Sequence, residues 1–261
     1  MKSRPGVVLI AEDHPINRQV VQLYLSELGI DCCLVNNGLE AVQAIEKNDY
    51  SVVLMDCHMP EMDGFQAAIK IRKNEKLTGR HIPIIAMTAG ALKGDRERCL
   101  LAGMDEYLCK PVDIEQLKNT LLKWMPGQAP SEQNEQAALP SAELKVAINT
   151  TFDVQDLTAR FGKSNLRSLL SMFCDQTPST FQELQQAVEA CDKDTLAHAA
   201  HALQGVFCIV GNQNISQICQ ILEQHARENR LDLATVTLID FEKQFELLLR
   251  DVTSELKLIT P

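Results

Sequence analysis

Apolar positions follow two different rhythms along this chain. Up to about residue 125, short and nearly continuous apolar runs alternate with segments of helical period. The runs are VVLIAE (7–12), CCLVN (32–36), SVVLMD (51–56), IPIIAMT (82–88) and EYLCK (106–110). Three of them are almost unbroken Val, Ile, Leu and Met, the pattern of strands covered on both faces in a parallel sheet. Between them the spacing predicts helices near 15–28, 38–47, 64–77, 90–102 and 113–124. Pro15 suits the first turn of the first helix, and Asp113 can cap the last. Five βα units in succession predict a doubly wound α/β domain over residues 1–125.

From about residue 152 the alternation disappears. Helices are expected near 153–161, 164–175, 178–191, 193–210, 212–229 and 232–256, with Pro178 breaking or starting one of them. This half, 151–261, reads as an antiparallel helical bundle. Between the two regimes, residues 126–150 (PGQAPSEQNEQAALPSAELKVAINT) are rich in Pro, Gln, Ala and Ser with weak periodicity, which predicts a flexible linker. The fold class is thus α/β plus all-α.

Charge sharpens the division. The net charge is −10 over 261 residues. Residues 1–125 carry about −2 of it and the remainder falls on the second half. An acidic bundle excludes nucleic acid as a natural partner, because phosphate backbones need a basic stripe. No apolar run approaches the roughly 18 residues of a membrane span, and the first residues do not read as a signal peptide. Nine cysteines without a CxxC pair fit neither a disulfide framework nor a zinc ribbon, and point to a reducing cytoplasm.

In open α/β sheets, ligands bind beyond the carboxyl ends of the strands. There the first run ends in Glu12 and Asp13, the third in Asp56, the fourth in Thr88 and the fifth in Lys110. Clustered carboxylates repel unless a cation sits among them, and Mg²⁺ suits an oxygen-only set. Lys110 and Thr88 could then stabilise a transferring phosphoryl group, with Asp56 as the nucleophile. His14 and His58 flank the site as loop residues. Strand alternation turns Cys57 and Cys109 away from it, as packing.

The stretches AEDHPINRQV, VVLMDCHMPEMDG, AMTAG and CLLAGMDEYLCKP resemble response-regulator receiver domains over nearly all of residues 5–125. The resemblance implies a sheet of order 2-1-3-4-5 and Asp56 as phospho-acceptor. It also implies Mg²⁺ held by Glu12, Asp13, Asp56 and the main-chain carbonyl of His58. Thr88 and Tyr107 would form a switch pair, Tyr107 turning inward on phosphorylation.

The second half holds LAHAAHALQGVFCIVG (196–211), with histidines three apart. At ~100° per residue, Leu196, Ala199, Ala200, Leu203, Val206, Phe207 and Val210 share one apolar face. His201 lies opposite and is expected to face solvent, beside His198, Gln204, Gly205 and Cys208. A glycine inside a helix costs about 0.5–1 kcal/mol relative to alanine. Gly205, one turn beyond His201, would give a large partner access to the imidazole. A metal pair is disfavoured because no acid or cysteine stands nearby in sequence.

AHALQGVFCIVG resembles the histidine-containing phosphotransfer (HPt) motif, with FDVQDLTARFG upstream and ICQILEQHARE downstream. The resemblance covers about 150–256 and implies His201 as the phospho-histidine. Gln204 departs from it, standing where the family usually has Lys. Lys163 and Arg167 are candidate compensating cations. The order receiver then HPt resembles the C-terminal part of tripartite (Bvg- and Evg-type) hybrid sensor histidine kinases. That implies a relay from an upstream kinase histidine to Asp56, to His201, and to a separate response-regulator receiver.

No Gly-rich ATP-binding segment, Walker loop or basic DNA-reading domain occurs in the sequence. The chain therefore reads as a phosphotransfer protein without its own ATP-binding kinase domain. Another reading stays open, in which Asp56 switches domain contacts and the bundle only docks partners. A Mg²⁺-dependent phosphatase fits less well, since His58 stands where such enzymes carry a second Asp.

Overall fold

The structure is a computed structural model; it describes residues 6–88, 93–125 and 152–259. The chain divides into two compact units on either side of the 126–151 stretch. The expected linker, 126–150, and the expected helix start at 90–92 lie outside the described residues.

The first unit runs β1 (Val8–Ala11), α1 (Pro15–Glu27), β2 (Cys32–Val35), α2 (Gly38–Lys47), β3 (Val52–Asp56) and α3 (Gly64–Thr78). It continues with β4 (Ile84–Thr88), α4 (Lys93–Leu101), β5 (Glu106–Cys109) and α5 (Ile114–Trp124). All strand pairings are parallel, in the order β2-β1-β3-β4-β5. The predicted sheet is therefore the observed one. β1, β3 and β4 are buried at every position, which is why their sequences are apolar without alternation. Edge strands β2 and β5 are only partly covered and tolerate Glu106 and Tyr107. The helix starts follow their signals. Pro15 stands in the first turn of α1, Asp63 caps α3 through Gln66 N, and Asp113 caps α5 through Gln116 N.

The register fixes where the rim lies. Asp56 pairs with Met87, and Thr88 with Cys109, so the carboxyl ends of three neighbouring strands finish together.

The second unit contains α6 (Val154–Glu189), α7 (Lys193–Ile209), α8 (Gln213–Arg227) and α9 (Leu231–Leu258). α7 packs against α6 and α8, and α9 against α6 and α8, which makes a four-helix bundle. Phe173, Phe207 and Phe241 are fully buried at its centre. Phe207 stands edge-on to both neighbours, at centroid separations of 6.1 and 5.8 Å.

One expectation needs correction here. The helices expected at 164–175 and 178–191 are continuous, because Pro178 does not interrupt α6. The break expected between 161 and 164 falls at Gly162, whose φ of 72° and ψ of 156° are not helical. Pro178 supplies no N–H to the Cys174 carbonyl one turn back, and the Ser179 and Thr180 hydroxyls donate to the neighbouring Gln176 carbonyl at 2.7 and 3.4 Å. Phe173, Phe181 and Leu184 bury the helix on both sides of it, so packing outweighs the local cost.

α7 ends at Gly211, whose φ of 78° is in the left-handed region. Asn212 N then bonds the Phe207 carbonyl at 2.9 Å, and the Asn212 side chain accepts from Ile215 N at 3.1 Å to start α8. This tight turn folds α8 back along α7.

Candidate functional site

Two groups of polar residues are buried, one in each unit. In the first, Glu12, Asp56 and Thr88 are almost fully enclosed at the carboxyl rim of the sheet, and Asp13 is half-buried. Lys110 follows β5 and reaches inward. Its Nζ lies 2.7 Å from Glu12 Oε2 and 2.7 Å from Asp56 Oδ2. One ammonium thus bridges two carboxylates whose strands are neighbours but whose chain positions are 44 residues apart.

The electrostatics follow from burial and count. Burial pushes Glu12 up to about 7, Asp56's charge adds to this, and Lys110 only partly opposes it. Burial by itself would lower Lys110, but Asp56 and Glu12 together hold it above the ordinary lysine value. Oxygens of Glu12, Asp13 and Asp56 come within 4.8 Å of one another. Three acids against one amine leave the cluster short of positive charge, and all the donors are hard oxygens. That donor set fits Mg²⁺. His58 N donates to Asp56 Oδ1 at 3.3 Å, while its ring stacks edge-on to Phe65 at 5.8 Å, a packing contact.

Two residues that hold this site went unread in the sequence. Asn17 is buried and donates from Nδ2 to Glu12 Oε1 at 3.0 Å, leaving Oε2 to Lys110. Its helical position, one turn into α1 and facing β1, is the only signal it gave. Gly64 opens α3 so close to β3 that a Cβ there would lie 2.1 Å from the Asp56 carbonyl oxygen. Tyr107 is exposed, with the Arg96 guanidinium 5.9 Å from its ring centre, while Thr88 is buried on the adjacent strand. Cys57 is buried with its Sγ 3.8 Å from that of Cys99; the contact and burial hold its thiol well above the ordinary value, as for packing rather than chemistry.

In the second unit the predicted apolar face of α7 is buried throughout. The opposite side, expected to face solvent, is met in part by α8, which folds back along it. His201, Gln204 and Gly205 are buried. Cys208 Sγ lies 2.9 Å from Ser216 Oγ, and His201 Nδ1 lies 3.1 Å from Glu223 Oε2. His201 and Cys208 are two turns apart on one face of α7, so both contacts mark the same antiparallel seam. His198 is only half-buried.

Glu223 is the acid that sequence spacing did not bring near His201. A signal existed. Ile215, Cys219, Leu222, Glu223 and Ala226 form the buried stripe of α8, and an acid on such a stripe requires a partner. Burial would raise the Glu223 carboxyl, but the His201 bond and charge, then Arg227, overcome it and bring it down to about 2. The carboxylate therefore stays ionised and can only accept, so in a neutral imidazole this contact calls for the proton on Nδ1 and the lone pair on Nε2.

Residues 8–122 match the response regulator receiver domain family, and residues 168–256 match the Hpt domain family. This chain is a receiver domain followed by an Hpt domain. It is 32% identical over 222 residues to the sensor histidine kinase GacS of Pseudomonas protegens, a match covering 84% of this chain and 24% of GacS. It is 31% identical over 223 residues to the signal transduction histidine-protein kinase BarA of Escherichia coli, with the same coverages of 84% and 24%. The chain thus spans about a quarter of the length of these relatives. The receiver unit is also similar to the crystal structure of the receiver domain of a Pseudomonas aeruginosa sensor histidine kinase, which has a magnesium ion coordinated in its active site cleft. That likeness has 44% identity and a TM-score of 0.43, and covers 46% of this chain and 98% of that one. A receiver joined to an Hpt domain is the arrangement of a two-component phosphorelay module. Among the described residues, no helix is long and apolar enough to cross a membrane.

Proposed function

We propose that Asp56 accepts a phosphoryl group from a kinase histidine and passes it to His201, which hands it to the receiver of a separate response regulator. The domains that perform this are a receiver over 1–125, a linker over 126–150 and an Hpt bundle over 151–261, acting in the cytoplasm.

The observation that carries the reading is that one chain holds a buried aspartate gripped by a lysine and an imidazole oriented by a glutamate. Asp56 is held by Lys110 through Oδ2 at 2.7 Å. In the first step an Asp56 oxygen forms the new O–P bond while the donor imidazole's N–P bond breaks. Lys110 offsets the negative charge on the phosphoryl oxygens, and Thr88 at the end of β4 donates a hydrogen bond to one of them. Glu12, Asp13, Asp56 and the His58 carbonyl would hold Mg²⁺. When bound, the ion supplies positive charge that draws acidic oxygens and phosphoryl oxygens together.

In the second step Nε2 of His201 attacks the phosphorus. The N–P bond forms, the O–P bond breaks, and the electron pair returns to the Asp56 carboxylate. No proton has to leave, because the ring keeps its Nδ1–H. The ring becomes positively charged, and Glu223 at 3.1 Å stabilises that charge. Gln204 cannot supply the cationic side chain that the family usually has at that position, and can offer a phosphoryl group only an amide hydrogen bond.

Labelling with a cognate kinase domain and radioactive ATP tests this in the wild type and in Asp56→Asn, His201→Gln and His198→Gln. Acyl phosphate is lost in alkali and phosphohistidine in acid. Asp56→Asn should abolish all label, and His201→Gln should keep only the alkali-labile fraction. His198→Gln should resemble wild type. Alkali-stable label persisting in His201→Gln would overturn the assignment. In the competing reading, where the bundle only docks partners, no alkali-stable label forms in any of these proteins.

A further inference from the structure

Arg227 is an exposed residue outside the seam, yet its hydrogen bonds are directed at the carboxylate that holds His201. Its Nε and Nη2 both bond Glu223 Oε1, at 3.0 and 2.6 Å. The other oxygen, Oε2, takes the His201 Nδ1 contact at 3.1 Å. The two oxygens of one carboxylate are therefore shared between two partners. Glu223 is 12% exposed at its side chain and Arg227 is 43% exposed, so the chain of contacts runs from solvent inward to the imidazole.

We infer that Arg227 is a positioning residue for phosphoryl transfer, which by occupying Oε1 fixes Oε2 of Glu223 toward His201 and so selects the Nδ1–H form of the ring. This rests on the reading of His201 as the phosphorylated residue. The physical argument has three parts. A free glutamate on a helix surface rotates about its terminal torsion, presenting either oxygen or neither. A guanidinium that places two N–H groups on one oxygen restrains that rotation, which a point charge does less well. The i,i+4 spacing on α8 keeps acid and base on one face, with Glu in the favourable N-terminal place. A neutral imidazole has two tautomers, and only the Nδ1–H form leaves Nε2 nucleophilic. Partners that orient an imidazole from one step away commonly matter for its function. Arg227 also places a cation one step from His201, in a segment where Gln204 has replaced the usual lysine.

The test uses the full chain with ¹⁵N-labelled histidine, as wild type, Arg227→Ala, Arg227→Gln and Arg227→Lys. Two-bond ¹H–¹⁵N spectra report the His201 tautomer, assigned by the signal lost in His201→Gln. A single-turnover chase reports transfer of label from Asp56 to His201, and the loading of Asp56 itself serves as the control. Wild type should show the Nδ1–H form. Arg227→Ala and Arg227→Gln should show mixed tautomers and a transfer rate lower by roughly three- to tenfold, between the small effect of an exposed helical pair and that of an orienting partner. Asp56 loading should be unchanged. Arg227→Lys should recover part of the rate and less of the tautomer preference. If both Arg227→Ala and Arg227→Gln keep the wild-type tautomer and rate, the pair is an ordinary surface ion pair and the inference is overturned. Should label never reach His201 in the wild type, the relay reading fails separately, while the tautomer measurement still decides what Arg227 does.

Discussion

His201 Nδ1 and Glu223 Oε2 lie 3.1 Å apart, although the residues are 22 positions apart on different helices. In a neutral ring the contact favours the proton on Nδ1, which leaves the lone pair on Nε2. It also ties the seam between α7 and α8 to an ionised acid, and this has a consequence for acid stability. Glu223 is held at about 2 in the folded chain, against an ordinary value of 4.5. A depressed carboxyl adds stability that is complete above about pH 4.5 and is lost as pH falls toward 2. The loss is at most about 3 kcal/mol, from a shift of that size. Urea unfolding of the full chain followed by circular dichroism should show a steep loss of bundle stability across this window in wild type. A shallower profile is expected for Glu223→Gln. Equal slopes in the two proteins would sink the idea.

Gly64 sits where a Cβ would come within 2.1 Å of the Asp56 carbonyl oxygen. The obstacle is backbone, so β3 or α3 must shift. Gly64→Ala should destabilise the receiver by about 1–3 kcal/mol or more. Trp124 is the sole tryptophan and lies in the receiver unit. Its fluorescence in a urea titration therefore isolates this effect from the bundle. Phosphorylation of Asp56 by a small phosphodonor should slow as well.

Lys110 is 6% exposed at its side chain and bridges Glu12 and Asp56. Lys110→Met leaves two buried carboxylates facing each other. The expected loss is about 3–5 kcal/mol at neutral pH. Lowering the pH should restore part of it, because protonating one acid removes the repulsion. The same fluorescence titration at pH 7.5 and pH 5.5 measures this, and a loss that grows on acidification would contradict it.

Magnesium should stabilise the receiver by relieving the same repulsion. At tenfold the dissociation constant the gain is about 1.4 kcal/mol, from mass action. Asp13→Asn and Asp56→Asn should each reduce the gain, and EDTA should abolish both the gain and the phosphorylation of Asp56. Thermal scans with and without Mg²⁺ decide it. An unchanged midpoint at saturating Mg²⁺ would argue against these three carboxylates as ligands.

Arg72 holds together the far end of the sheet. It donates to Asp105 at 2.6 Å, to Glu75 at 2.8 Å and to the carbonyls of Gly103 and Ile82 at 2.7 and 2.9 Å. Asp105 in turn accepts from Ile84 N at 2.7 Å at the start of β4. Arg72→Ala removes these bonds together and should cost the receiver about 2–4 kcal/mol. Arg72→Lys should recover little, since one ammonium cannot reach so many acceptors. Urea midpoints read by Trp124 fluorescence check both.

The sequence by itself determined the two units and the acidic rim at the strand ends, while the strand order followed from the resemblance to receiver domains. The reason is that strands buried on both faces must be continuously apolar, and their polar residues can fall only at the ends. It also determined the apolar face of α7, because helical phase is a local property. Only the tertiary structure decided what lies on the other face. The left-handed turn at Gly211 sends α8 back along the side bearing His201, so the imidazole expected to face solvent meets Glu223. Local periodicity carries no information on which helix folds back over which face. In the same way, Pro178 reads as a breaker alone but is carried through by the aromatic core around it. Asn17, Gly64 and Arg227 each act on a partner through space, and their roles became visible only when the fold set those partners beside them.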